Sequence, residues 1–326
     1  MKISNKQAVA LCNGLLKCGG NMIYTLTLNP AIDYVVGVND YEEGKINKTA
    51  REKIYAGGKG INVSVVLNNL EVDSVALGFV AGPTGIMLEN MLADEGIKTK
   101  FIKVASGMTR INIKLSDMKK ETEINGCGPN ITSDDMNELY KYLDEVNDDD
   151  ILVMSGSIPA KITQSVYSDI CYFLRKRGCK AELVIDTSSK EMLETLQYNP
   201  LLIKPNNHEL GNLFKVVIDS FEKAEVYARK LKEMGAKNVM VSMGKMGAIL
   251  IDENDGCHKV KAPQGAVINS VGAGDTTVAA FIASVRKNNT LDYDAIAKYC
   301  VAAGSATAFL EGLAGKSEIE RIFAGM

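Results

Sequence analysis

The chain has 326 residues, 24% of them charged, and a net charge of −3, enough length for one large α/β domain or two ordinary ones with no metal or disulfide staple. That charge argues against nucleic acid as the main partner, since a phosphate-backbone binder carries a basic excess, while small anionic ligands stay open. No run of eighteen apolar residues suggests a membrane helix, and the cysteines, irregularly spaced with no CxxC pair, read as free thiols of a reducing cytoplasm.

Residues 1–21 (MKISNKQAVALCNGLLKCGGN) faintly resemble a signal peptide, but the apolar stretch is short and Lys17 stands where cleavage needs small residues. We read them as a leader or cloning remnant outside the core, with one domain over 22–326. Ile23–Leu28 alternates and is β-branched, a strand ended by Asn29-Pro30; Tyr34–Val38 is a second. Gly57-Gly58-Lys59-Gly60 precedes INVSVVLNNL, apolar at helical spacing. Ser74–Val80 reads as a strand and Leu88–Asp94 as a helix. RINIKL and ETEIN read as a hairpin, and Ser133–Val146 as a helix opened by a serine or aspartate cap.

From Asp150 strands alternate with helices. ILVMSG, AELVID, LLIKPN, NVMVSM and GAILID are strands; 165–176, 189–196, 208–214, 221–234, 276–286 and 293–309 are helices. The alternation implies a mainly parallel sheet covered on both faces, a three-layer α/β/α fold. The segments at about 30–56 and 108–126 break it and form a small β-sheet lid.

Glycines ahead of a helix mark the chemistry. In NSVGAGDTTVAAF, Gly272-Ala273-Gly274 would bring unpaired N–H groups and the helix dipole against an anion, such as a phosphoryl group in transfer. Asp275 then stands where it could take a hydroxyl proton, or could simply cap the helix. Gly315-Lys316-Ser317 is no phosphate loop, because Leu310 occupies the place of its first glycine. Ser242-Met243-Gly244-Lys245-Met246-Gly247 joins two strands and could lie along a nucleotide. Lys204-Pro205-Asn206-Asn207-His208-Glu209 offers Asn206 and Glu209 to Mg²⁺ through water, though Asn206 could be a helix cap. Lys59 and Asn62 suit a polyol or phosphate. Arg110 and Asn112 share one strand face, where the guanidinium could hold phosphate. Asp33, just past a strand end, suits sugar hydroxyls.

The ordered set TLNPAID, GGKGIN, TRIN, TEIN, SGSIP, KPNNHEL, SMGKMGA and NSVGAGD closely resembles the ribokinase-like (PfkB) sugar kinases, from Met22 almost to the C-terminus. The resemblance implies ATP and Mg²⁺, with a monovalent cation as a further option, and a soluble cytoplasmic kinase of a sugar phosphate. It makes Asp275 the catalytic base and Gly272, Ala273 and Gly274 its anion hole. Lys204, Asn206, Glu209, Ser242, Gly244, Lys245, Gly247, Gly274 and Ser305, with Gly304, would serve ATP. Asp33, Gly57, Gly58, Lys59, Asn62, Arg110, Asn112, Asp275 and either Ser157 or Ser155 would bind the acceptor, Lys59 and Arg110 holding its existing phosphate. TRINIKL and TEINGCGP favour members that phosphorylate fructose 1-phosphate at the 6-hydroxyl. Tagatose 6-phosphate or fructose 6-phosphate as acceptor is the alternative, and a silent sugar-phosphate sensor a more distant one. The resemblance also implies a homodimer through the lid.

Overall fold

The computed structural model describes residues 21–117, 121–187, 189–287 and 291–326. The leader reading of 1–21 lies outside these, apart from Asn21. Over the described residues a nine-stranded sheet runs in the order β13-β12-β11-β10-β9-β8-β1-β4-β5. Its strands are β1 (Ile23–Thr27), β4 (Val75–Val80), β5 (Lys98–Lys103), β8 (Ile151–Ser155), β9 (Glu182–Asp186), β10 (Leu202–Ile203), β11 (Asn238–Ser242), β12 (Ala248–Ile251) and β13 (Cys257–Val260). Neighbours from β5 to β11 pair in parallel, and β12 runs antiparallel to both β11 and β13. The central strands are buried along almost their whole length and mostly apolar because helices cover both faces.

The helices are α1 (Lys59–Asn69), α2 (Gly82–Asp94), α3 (Ser133–Leu143), α4 (Val166–Lys176), α5 (Ser189–Thr195), α6 (Asn207–Phe214), α7 (Phe221–Glu233), α8 (Ala273–Lys287), α9 (Tyr293–Ala308) and α10 (Lys316–Phe323). Two apolar clusters separate across the sheet. One joins alternate strand residues such as Leu26, Met154 and Ile185 to α3, α4 and α7; the other joins Val153, Val184 and Met240 to α1, α8 and α9. Among the described residues no helix is long and apolar enough to cross a membrane, and the cysteines are free thiols.

A second sheet, β3-β2-β6-β7, stands off the first; it holds β2 (Ala31–Val38), β3 (Thr49–Gly57), β6 (Arg110–Ser116) and β7 (Glu121–Asn125). β2 and β6 pair in parallel with Asp33 opposite Asn112, and β6 and β7 form the expected hairpin, part of whose turn (118–120) lies outside the described residues.

Three points differ from the sequence reading, and one agrees with it. Strands β5 and β13 were not expected, because the lysines of KTKFIK and CHKV mask their alternation. Helix α2 starts six residues earlier than expected: Pro83 and two glycines read as breakers, yet proline suits the first helical turn. Helix α3 is capped by Thr132, in a reciprocal capping box with Asp135, and not by serine or aspartate. Lys316 opens α10 and pairs with Glu71, so the GKS stretch lies away from the cleft described next.

Candidate active site

Parallel strands end on one edge of the sheet, and there, under the second sheet, lies a cleft of about 1080 Å³. The ends of β1, β8, β9, β10 and β11 and the N-termini of α1, α6 and α8 supply its walls. Each residue assigned above to ATP or acceptor lines it, apart from Gly57 and Ser155.

At its centre is Asp275, in the first turn of α8. That helix is fixed by its own core: Val278 to Ile282 are fully buried. Gly272 takes φ +80°, bending the chain into the helix, and a Cβ there would meet Leu313 at 2.4 Å. Gly274 has an ordinary backbone and little space, since its Cβ would lie 2.9 Å from the Lys204 ammonium, the far end of a side chain. The α8 N-terminus and a buried lysine thus face the same volume. Asp275 is 5% exposed and accepts a hydrogen bond from Asn62 Nδ2 at 2.7 Å. Burial and then the neighbouring Asp186 push its carboxyl up to about 6, against the pull of Lys59, Asn62 and Lys204.

Asp186 was missed by sequence reading. It ends β9 fully buried, its Oδ1 3.3 Å from Lys59 Nζ and 3.5 Å from Lys204 Nζ. Burial alone would raise its carboxyl, but the two ammoniums hold it below the usual aspartate range. Lys59 is in turn held above the usual lysine range, first by Asp186. The available signal was a carboxylate closing the apolar run LVI at the end of a buried strand, where a charge needs partners.

At the acceptor end, Arg110 Nε donates to the Asn29 carbonyl at 3.1 Å and Nη2 lies 3.4 Å from Ser157 Oγ. Of the two serines considered, Ser157 lines the cleft; Ser155 is fully buried, its hydroxyl unpartnered among the described residues. Asp33 accepts from Asn112 Nδ2 and from Lys114 Nζ, each at 2.8 Å. Lys114 was also missed, although one more step of the Arg110, Asn112 alternation reaches it. Gly57 is not among the residues that line the cleft: its Cβ position points at Asp33, 2.6 Å from Oδ1, so it makes room for the carboxylate.

At the other end, Ser242 bridges to Asn206, and a 3-10 turn over Gly244–Met246 links β11 to β12. Gly247 takes φ +108°, with its Cβ position 2.0 Å from the Val260 carbonyl, so no side chain fits. Gly304 also has none, its Cβ position being 2.7 Å from Thr277 Oγ1, which lets α9 bring Ser305 to the cleft wall. Asn206 and Glu209 form a capping box for α6: Oδ1 accepts from the Glu209 N–H at 2.8 Å, and Glu209 Oε2 from the Asn206 N–H at 2.7 Å. Among the described residues no group of three or more His, Cys, Asp or Glu could hold a metal directly.

The arrangement can receive an extended anion along the cleft, place a hydroxyl against Asp275, and collect charge on the α8 N-terminus and two lysines. A family model described as pfkB family carbohydrate kinase matches residues 21–319. The 1-phosphofructokinase of Bacillus subtilis (strain 168) is 41% identical over 92% of this chain and 97% of its own. The D-tagatose-1-phosphate kinase of Bacillus licheniformis is 34% identical over the same shares. The crystal structure of phosphofructokinase-2 from Escherichia coli in complex with substrates and products superposes with TM-score 0.86 at 27% identity, covering 93% of this chain and 99% of that one.

Proposed function

Because the chain belongs to the pfkB family of carbohydrate kinases, we propose that it transfers the γ-phosphoryl group of ATP to the 6-hydroxyl of fructose 1-phosphate, giving fructose 1,6-bisphosphate. The observation that carries the reading is Asp275 at the N-terminus of α8, buried beside Asn62, Lys59 and Lys204.

Asp275 accepts the proton of the attacking 6-hydroxyl as its oxygen forms the bond to phosphorus and the bond to the ADP oxygen breaks. The N–H groups of Ala273 and Gly274, with Lys204, take up negative charge on the group in transfer, in a site screened from water. Ser242, Gly244, Lys245, Gly247 and Ser305 bind ATP. Asp33, Gly58, Asn62 and Asn112 hold the sugar, and Arg110 with Ser157 and Lys59 its existing phosphate. The sparse donor set of Asn206 and Glu209 fits Mg²⁺, which keeps several waters and leans on substrate phosphates; when bound it would neutralise phosphate charge. A monovalent cation is part of the same proposal.

The second sheet acts as a lid. Its outer face carries a row, Ile54, Tyr34, Ile113 and Ile124, with Ile54 and Ile124 exposed, and we assign this apolar face to a homodimer contact. The domain is one kinase unit and the location cytoplasmic. The relative that is a D-tagatose-1-phosphate kinase supports a second reading, the C4 epimer as acceptor with the phosphate still on C1.

The test is Asp275→Asn. Loss of about 10²–10⁴ in kcat with the fold retained is expected; near-normal turnover would remove the assigned base.

A further inference from the structure

We propose that Lys114 is a positioning residue for the acceptor, fixing the Asp33 carboxylate in the orientation that receives the sugar hydroxyls. The inference rests on the reading of Asp33 as an acceptor-binding residue.

Lys114 lies on β6, two residues beyond Asn112 and four beyond Arg110, so all three share one face of the lid. Its side chain is only 11% exposed and that of Asp33 13%, with 2.8 Å between Nζ and Oδ2. The other oxygen, Oδ1, is taken by Asn112 of the same strand. Both contacts thus come from β6; on the β3 side Tyr55 stands opposite Asp33, and Gly57, whose Cβ position faces the carboxylate, presents no side chain. The carboxylate is therefore held at both oxygens by one rigid strand. Each ionised oxygen accepts more than one hydrogen bond, which leaves capacity toward the cleft that Asp33 lines.

A pair this deep is weak evidence for stability, because desolvation offsets most of the attraction. Its use is geometric. Without Lys114, Asp33 would keep one anchor and could turn away from the cleft. Lys114 itself does not line the main cleft; it lines the adjoining one of about 730 Å³, behind Asp33. It therefore acts through the aspartate.

The experiment is steady-state kinetics of Lys114→Met and Lys114→Arg, alone and in an Asp33→Asn background, with thermal melts to verify folding. Lys114→Met should raise the KM for fructose 1-phosphate roughly tenfold to a hundredfold, with kcat and the KM for ATP within about threefold. Lys114→Arg should recover most of the loss. In the Asp33→Asn background the same Lys114→Met change should move KM by less than about threefold, since the group it positions is gone. An unchanged KM in Lys114→Met overturns the inference. So does an undiminished effect in the Asp33→Asn background, which would make Lys114 a direct ligand of the acceptor, and so does an equal loss toward both substrates. If the unmodified protein turns over no ketohexose phosphate, the underlying reading fails, and the inference with it.

Discussion

Asn62 and Asp275, 213 residues apart, meet at 2.7 Å at the centre of the cleft. One comes from the first turn of α1 and the other from the first turn of α8, so two helix N-termini converge on one carboxylate. The amide favours the charged form of Asp275, while burial and Asp186 oppose it.

That balance fixes the pH dependence. A base must be ionised to act, and Asp275 is pushed up to about 6. Activity should therefore fall about tenfold per unit below pH 6, where an ordinary aspartate would still be charged. Asn62→Leu removes a bond that lowers this value, so the acid limb should move to higher pH and the loss at pH 6 should exceed that at pH 8. A pH profile of kcat/KM for both proteins reads this directly.

The same group should weaken the fold. Its folded value lies above the unfolded one, so its stabilising effect is complete below about pH 4 and is lost as pH rises through about 6. Asp275→Asn should raise stability at pH 8 by about 1–3 kcal/mol and leave it nearly unchanged at pH 4, while turnover is lost. Urea unfolding at both pH values checks this.

Asp186→Asn should do the opposite. It leaves Lys204, 5% exposed, without its carboxylate, and breaking such a pair destabilises by about 3–5 kcal/mol. A fall in Tm together with a lower kcat is expected.

Two glycines should separate chemistry from folding. Gly274→Ala puts a methyl at the Lys204 ammonium, a flexible group that can yield. Helix stability should hold or rise by about 0.5–1 kcal/mol while kcat drops. Gly247→Ala drives a Cβ into the Val260 backbone at positive φ and should lower both Tm and ATP affinity. Melts and kinetics of the two proteins distinguish the cases.

Adding charge to the lid face should separate subunits. Ile124→Lys, at an exposed position, should yield a monomer by sedimentation, against a dimer for the unmodified protein.

Much of this was legible in the residues. Apolar strands in a buried parallel sheet announce themselves by composition, and glycines before helices mark anion sites such as that around Asp275; other cleft residues, Ser157 and Ser305 among them, came only from the resemblance of the ordered motifs to a known family. What stayed hidden depends on tertiary proximity. Asp186 has meaning only once Lys59 and Lys204 come within 3.5 Å of one oxygen. Gly57 looked like part of a ligand loop, and its neighbours Gly58 and Lys59 do line the cleft, yet its own Cβ position faces a side chain. Strands β5 and β13 were obscured by lysines at their solvent positions, which periodicity alone reads as loop.

The most direct test of the central claim is ADP release from ATP with fructose 1-phosphate, fructose 6-phosphate, tagatose 6-phosphate and tagatose 1-phosphate in turn. The account predicts a kcat/KM for fructose 1-phosphate at least about tenfold above each of the others, a gap of about 1.4 kcal/mol in transition-state binding. A preference for a 6-phosphate would contradict it and reverse the acceptor in the cleft.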